Sequence, residues 1–485
     1  MNKGKICLPI VAESNREALS ALERARREPA DLHELRLDWL CERPEVPALI
    51  RASSRPVVAT CRSREQGGRF RGGTEERLAL LRLAMASGAA YVDAETDVVG
   101  GLGKREGTTV IASWHDFSGT PADLPRRARE LAGAPGDWVK FAVTAETPGD
   151  NLKVFAALAG CPKPAVGLAM GEMGLLSRIL GPAFGSRLAF GGLSRGLESA
   201  PGQPTARELA ELYRVRELTR DSAVYGLAGN PVAQSSGYVF HNRAFALLGI
   251  DAVYLSLLCR DLGTLIREIV PEVNLRGLSV TLPHKPAALE LAPRRSEPAR
   301  LSGAANTLRR ERDGGWYADN TDFSATAEAV AEKAAAIGLN LAGAPALVLG
   351  SGGAARGMGA ALASLGCRVT AAGRDPGKTA AMAKSLGWDS VAWDEAGSGD
   401  WVVVANATAV GMVPEVERTP FPAAGWRPGR IAFDAVYNPR LTRFLRDAAA
   451  AGAETIDGMD MFRRQAEGQF KLWTGREMPG ESFAE

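Results

Sequence analysis

Cysteine, histidine, net charge and long apolar runs are all scarce in this chain. Six cysteines (Cys7, Cys41, Cys61, Cys161, Cys259 and Cys367) stand singly among 485 residues. No CxxC pair and no Cys/His cluster occurs, so neither structural zinc nor a disulfide framework is indicated and nothing calls for a metal. Reduced thiols in a cytoplasm are the corresponding expectation. There are only four histidines, His33, His115, His241 and His284, and any imidazole chemistry must use one of them. The 58 basic and 56 acidic residues nearly cancel. That removes the electrostatic case for nucleic acid or an anionic membrane as partner. No apolar run reaches the ~18 residues expected of a membrane span. The opening MNKGKICLPIVAES turns polar too soon for a secretory signal.

What is present is an ordinary globular composition, 46% hydrophobic and 24% charged. The length is about three typical domains. Over residues 1–218, eight short apolar runs recur at 5–11, 32–38, 56–61, 90–95, 108–113, 137–143, 164–170 and 187–191. Helix-like stretches such as 74–87 and 122–132 separate most of them. Strand–helix alternation implies a parallel sheet, and eight units fit a closed (β/α)8 barrel. An open doubly wound sheet is the alternative. The connection 97–107 is short and Gly-rich and carries no expected helix. Apolar spacing at Leu209, Leu212, Val215 and Leu218 predicts a last barrel helix over 204–219.

Active sites of such barrels lie at the C-terminal ends of the strands. The polar residues there are Glu34 and Arg36, Arg62, Glu95, His115 and Lys140. Lys140 interrupts the apolar run WVKFAV. Facing inward, it would need a partner or a shifted pKa, and a desolvated amine suits imine formation with a ketone. Facing outward, it would extend along the barrel surface. His115, in SWHDF on the neighbouring strand, tips the balance. An amine beside a general base is a proton-abstraction site next to a carbonyl.

ELRLD (34–38), TCRSREQGG (60–68), YVDAE (91–95), SWHDF (113–117), the WVKFAV lysine, LLSRILGPAFGS (175–186) and SAPGQ (199–203) come in order. Together they resemble type I 3-dehydroquinate dehydratase over nearly all of residues 1–215. The resemblance implies that Lys140 forms an imine with the C3 ketone. His115 would remove the C2 proton and assist loss of the C1 hydroxyl. Arg178 would bind the substrate carboxylate. Glu34, Arg36 and Arg62 would hold hydroxyls and tune Lys140. Ser199 and Gln203 would sit on a lid after the eighth strand.

The second half carries a different signature. ALVLGSGGAARG is an apolar strand, a Gly-rich turn and a helix start. It matches G-x-G-x-x-A at Gly350, Gly352 and Ala355, the turn that brings a pyrophosphate to a helix N-terminus. The expected cofactor-binding residues are Gly350, Gly352, Gly353, Ala354, Ala355, Arg374, Lys378 and Thr408. The next strand, CRVTAAG (367–373), ends on Arg374 rather than a carboxylate, with Lys378 four residues on. Basic residues there favour NADP(H), whereas Asp375 argues for NAD.

GNPVAQSSGYVFHN (229–242), LSVTLPHK (278–285), GAANTL (303–308), DNTD (319–322), NATAVGM (406–412), DAVYNPRLT (434–442) and GMDMFRRQAEGQFKLW (458–473) also come in order. They resemble shikimate dehydrogenase over 222–480. The resemblance implies a split α/β substrate domain (222–335, completed by 457–485) around a Rossmann domain (336–456). Lys285 and Asp322 would be the acid/base pair. Asn306 and Gln465 would hold ring hydroxyls, Tyr437 would line the cleft, and Ser235 and Thr281 would contact the carboxylate or hydroxyls. His241 and His284 are read as structural. Four positions depart from the family pattern: Gly237 for serine, Tyr238 for proline, Ser279 for asparagine and Phe323 for glycine. The expected protein is a bifunctional enzyme, a dehydratase barrel followed by an NADP(H)-dependent dehydrogenase. Its small-molecule ligands would be 3-dehydroquinate, 3-dehydroshikimate and shikimate. The alternatives are a second half that acts on quinate or oxidises 3-dehydroshikimate, or one that binds ligand without catalysis. Oligomeric state stays open.

Overall fold

The computed structural model describes residues 4–103, 107–200 and 202–484. The chain divides into two compact units. One holds residues 1–224 with 249–259 and 264–274; the other holds 225–248, 260–263 and 275–485.

The first unit is built on β1 (Lys5–Ile10), β2 (Leu32–Arg36), β3 (Val57–Thr60), β4 (Tyr91–Glu95), β5 (Thr109–Asp116), β6 (Trp138–Thr144), β7 (Ala165–Met170) and β8 (Leu188–Phe190). They form one parallel sheet in the order β7-β6-β5-β4-β3-β2-β1-β8. The remaining seam between β7 and β8 is bridged at Ala165 and Ser186, and the Arg187 amide donates to Ala165 O at 2.8 Å. The result is a nearly closed eight-stranded barrel. Successive strand residues alternate between faces, so each inward column can be read off the sequence. Leu32, Val58, Ile111 and Leu188 belong to one buried cluster, with Tyr91 and Trp138 packed against it. Two residues further along their strands stand Glu34, Thr60, Ser113, Asp93 and Lys140. The same columns thus pass from an apolar plug to a polar mouth.

Two expectations are corrected or limited here. The helix expected over 204–219 is shorter: residues 206–212 are helical, and Glu208–Leu212 among them form a π-helical turn, with the Tyr213 amide on Glu208 O at 2.8 Å. Arg214 ends it at φ +51°, and its guanidinium reaches Ile250 O and Ala252 O at 3.3 and 3.0 Å. These tertiary bonds override the local helical preference. Leu209, Val215 and Leu218 bury nonetheless. In the connection 97–107, Val99–Gly101 makes one 3-10 turn, and residues 104–106 lie outside the described residues.

β9 (Ala223–Gly229) leads into the second unit; β10 (Ala252–Leu258) groups with the first. The second unit contains β11 (Leu275–Val280), β12 (Arg294–Arg295), β13 (Thr307–Arg310) and β14 (Trp316–Asp319). Helix Gly458–Thr474 lies against β11 and β13. Its Trp473 Nε1 donates to Leu308 O at 3.1 Å. Another sheet comprises β15 (Pro345–Leu349), β16 (Arg368–Ala372), β17 (Asp389–Ser390), β18 (Val403–Asn406), β19 (Ile431–Asp434) and β20 (Glu454–Ile456). Its order is β17-β16-β15-β18-β19-β20, all parallel. This is the doubly wound Rossmann order, with its switch point between β15 and β18. Alternate residues feed two cores. Ala346, Val348, Val403, Ala405, Ile431 and Phe433 pack on one face; Leu347, Leu349, Val404 and Ala432 pack on the other. Among the described residues, no helix is long and apolar enough to cross a membrane.

Candidate active sites

At the barrel mouth a cavity of about 210 Å³ is lined by Glu34, Arg36, Arg62, His115, Lys140, Arg178, Ser199 and Gln203, together with Gln66, Phe117 and Phe190. All the barrel residues assigned a role from the sequence therefore converge on one space. Lys140 faces inward and is buried. Its Nζ lies 2.8 Å from Asp93 Oδ2, 3.8 Å from Glu34 Oε1 and 4.4 Å from the centre of the Phe190 ring. The other Asp93 oxygen accepts from Arg62 and from Ser113 Oγ, each at 2.6 Å. Burial opposes a charge on Asp93, but Arg62 and Lys140 outweigh it and hold the carboxyl well below the usual carboxylate range. Glu34 accepts from Thr60 Oγ1 at 2.8 Å. Arg36 forks onto Asp38 at 2.8 and 2.9 Å. Arg178, on helix Leu175–Leu180, is buried, and that burial lowers it to about 10, so it stays cationic at neutral pH. Ser199 Oγ donates to Gln203 Oε1 at 3.0 Å.

His115 is oriented by Gln66. The Gln66 Oε1 atom lies 3.1 Å from the His115 amide and 3.2 Å from Nδ1. A backbone N–H only donates, so the Gln66 atom is the amide oxygen and Nδ1 carries the ring proton. Nε2 is then left with its lone pair. Burial first, and then Arg62 and Lys140, push the imidazole well below 6.5, so it is a neutral base at pH 7. Asp93, Ser113 and Gln66 were not singled out from the sequence. The period-two column Tyr91, Asp93, Glu95 in YVDAE was the available signal for Asp93. Glu95, which was noted, instead pairs with Arg77 at 2.7 Å and with Arg62 at 3.5 Å.

In the second unit, Lys285 and Asp322 meet at 2.6 Å although they are far apart in sequence. Lys285 opens helix Lys285–Leu291, and Asp322 sits in the first turn of helix Thr321–Ala336, where the helix dipole favours a carboxylate. Asn306 supports this arrangement. Its Oδ1 accepts from the Thr321 amide and from Thr307 Oγ1, both at 2.8 Å. Gln465 Nε2 donates to Phe462 O at 3.0 Å along its own helix. Gln469, one turn later and not anticipated, takes the buried position. It accepts from Ser279 Oγ at 2.8 Å and donates to Thr307 Oγ1 at 3.0 Å. That pairing accounts for Ser279. Phe323 packs with Ala360 and Ala361 of the Gly-rich helix, which accounts for the second departure. Nothing in the structure explains Gly237 or Tyr238.

Ser235 Oγ accepts from the Gly237 amide at 3.3 Å, and the Tyr437 hydroxyl donates to Gln234 O at 3.2 Å. Thr281 packs over Gly229, where an added Cβ would lie 2.2 Å from Thr281 Cγ2. His241 is buried against Phe470 and Trp473, and burial lowers it to about 3.

The Gly-rich turn lies at the switch point. Gly350 adopts φ +125°, and a Cβ there would stand 3.2 Å from Ala407 O. Gly352 caps helix Gly353–Ser364, whose first turn holds Ala354 and Ala355. A Cβ on Gly353 would come within 2.7 Å of Lys285 Cδ, so the helix start rests on the stem of that lysine. Across the turn, Thr408 Oγ1 donates to Asn406 Oδ1 at 2.7 Å. Arg374 and Lys378 are exposed. Asp375 caps helix Pro376–Leu386, accepting from the Lys378 amide at 2.9 Å.

A barrel with a buried lysine beside a neutral histidine, followed by a Lys–Asp pair against a Rossmann turn, defines a two-activity enzyme, a lyase joined to a dehydrogenase. The family model of type I 3-dehydroquinase matches residues 6–220, and that of the shikimate dehydrogenase substrate-binding domain matches 227–308. The chain is 35% identical to the chloroplastic bifunctional 3-dehydroquinate dehydratase/shikimate dehydrogenase of Arabidopsis thaliana, over 99% of this chain and 84% of that protein. It belongs to that bifunctional family. Its second half is also 37% identical to the NADP(+) shikimate dehydrogenase of Oleidesulfovibrio alaskensis, over 53% of this chain and 91% of that protein. Shikimate 5-dehydrogenase of Thermus thermophilus, solved with NADP(H) and shikimate, is 33% identical at a TM-score of 0.45, covering 54% of this chain and 96% of that one.

Proposed function

We propose that the barrel converts 3-dehydroquinate to 3-dehydroshikimate through an imine at Lys140, and that the second unit reduces this product to shikimate with NADPH. The observation that carries the first step is the buried Lys140 amine in one cavity with a neutral His115. In this reading the Lys140 nitrogen attacks the C3 carbonyl, and its oxygen leaves as water. The imine withdraws electrons from C2, so His115 Nε2 can take the C2 proton. The C1 hydroxyl departs with a proton returned by His115, and hydrolysis frees Lys140. Arg178 would hold the carboxylate by a bidentate pair. Borohydride added with 3-dehydroquinate should fix the ligand on Lys140, read as a mass increase on the peptide containing it. Labelling of another lysine, or none, would contradict the assignment.

In the second unit Lys285 would give the proton to the ketone oxygen, with Asp322 holding its ammonium in place. When bound, the nicotinamide supplies the hydride. The residues present fit such a group. Gly350 and Gly352 leave the helix N-terminus open to a pyrophosphate, and Thr408 stands across the turn. Exposed Arg374 suits a 2′-phosphate, and Asp375 is engaged as a cap by its own helix. We therefore favour NADP(H) over NAD. The functional division follows 1–218, 222–335 with 457–485, and 336–456. The six cysteines stand singly in the sequence and four of them are buried, which supports a reducing compartment such as the cytoplasm.

A second reading, in which this unit acts on quinate, is favoured by Gly237. This residue is buried at the start of helix Gly237–Leu247 and offers no hydroxyl. Comparing kcat/KM for shikimate and quinate separates the two. A higher value for quinate would displace the first reading.

A further inference from the structure

We propose that Asp434 is a positioning residue of the reductase: its buried carboxylate clamps the loop that carries Thr408 to the loop that carries Tyr437. This rests on reading the β15/β18 crevice as the nucleotide site.

Asn406 and Asp434 end the neighbouring strands β18 and β19 and face each other in register. Ligands of open parallel sheets bind beyond such strand ends. Both side chains are wholly buried. Asp434 Oδ1 accepts from Asn406 Nδ2 at 2.9 Å and from the Val436 amide at 3.0 Å. Its Oδ2 accepts from Thr442 Oγ1 at 2.5 Å. On one side, Asn406 passes the constraint on, because its Oδ1 holds both the amide and the hydroxyl of Thr408, at 3.0 and 2.7 Å. On the other, the Val436 amide sets the start of the turn that places Tyr437, whose hydroxyl reaches Gln234 O beside Ser235. A continuous polar path therefore runs from the nucleotide loop to the segment expected to hold the substrate carboxylate.

The carboxylate suits this task for a chemical reason. Its two oxygens only accept, so three donors can converge on it, whereas an amide would present an N–H to one of them. The groups that face it are neutral: Asn406 from β18, the Val436 amide from its own loop, and Thr442 at the start of helix Arg443–Ala450. Burial without a cation pushes the carboxyl up to about 6, against the three hydrogen bonds. Below that pH one oxygen carries a proton and the clamp loses an acceptor. The sign for stability is the opposite of that for function. A carboxyl with a folded pKa raised above its unfolded value favours the protonated form on folding, so its charge lowers stability above pH 6. Replacing it with a neutral amide need not lower Tm at pH 7.5.

The test uses the full chain with Asp434→Asn and Thr442→Val. NADPH binding is titrated by nicotinamide fluorescence without substrate, KM for shikimate is measured with NADP, and both are followed from pH 5.5 to 8. Wild type should bind NADPH, with both constants rising as pH falls through about 6. Asp434→Asn should raise the NADPH Kd and the shikimate KM about tenfold at pH 7.5, as expected for loss of one hydrogen bond to a charge, and should show no change near pH 6. Its Tm and its dehydratase turnover should match wild type. Thr442→Val should shift the same constants in the same direction by a smaller factor. Binding and KM within twofold of wild type in both variants would overturn the proposal. A lowered Tm with unchanged KM would overturn it in favour of a purely structural role. Failure of wild type to bind NADPH would overturn the nucleotide reading, and the clamp with it.

Discussion

At the scale of single residues, the two halves can be broken independently. Lys140→Ala removes the imine nucleophile and should abolish dehydration while leaving reduction of 3-dehydroshikimate intact. Lys285→Ala should do the reverse, and full retention of reductase activity would sink its assignment. His115 gives a pH prediction. Its pKa lies well below 6.5, so the base stays neutral and dehydratase kcat should hold as pH falls through 6.5. An acid limb at or above 6.5 in the kcat profile would contradict that environment. The same histidines bear on stability. His33, His115 and His241 all have folded pKa values below the ordinary 6.5, two of them at about 4 and about 3. The folded state therefore binds fewer protons than the unfolded chain between those values. Their contribution is complete above pH 6.5 and is lost as pH falls below it. Tm, followed by calorimetry, should drop below pH 6.5, and a His241→Asn variant should lose part of that slope.

At the scale of elements, the most informative contact is between the Gly-rich helix and Lys285. A methyl on Gly353 would press on the lysine stem at 2.7 Å, which is flexible enough to move. Gly353→Ala should therefore fold, keep dehydratase turnover, and lower reductase kcat by about tenfold, in line with the cost of displacing a proton donor. Unchanged reductase kinetics would show that this contact has no part in placing Lys285. The strands were legible in the sequence because each is a short apolar run bounded by helix-like segments. The inward columns made Glu34 and Lys140 visible as polar breaks in those runs, and Arg62 visible directly after the third run. Asp93 escaped because YVDAE holds two carboxylates on the same face, and only the fold shows which one meets Lys140. Gln66 escaped because it lies on a loop with no period to read. The final barrel helix was misread for a different reason. Its apolar spacing is real and its residues do bury, but the Arg214 guanidinium bonds remote carbonyls and ends the turn early. Asp375 looked like a ribose ligand by position, while its carboxylate is used locally as a helix cap.

At the scale of the whole molecule, the chain joins a lyase barrel to a dehydrogenase whose expected substrate is the barrel's product. The most direct test supplies purified protein with 3-dehydroquinate and NADPH and follows the nicotinamide absorbance, with NADH in parallel. The two-step reaction should consume NADPH from 3-dehydroquinate in wild type, and NADH more slowly. It should consume none in Lys140→Ala until 3-dehydroshikimate is added directly. Accumulation of enone absorbance in wild type with no consumption of either nucleotide would contradict it, leaving a working barrel beside a second unit of another activity.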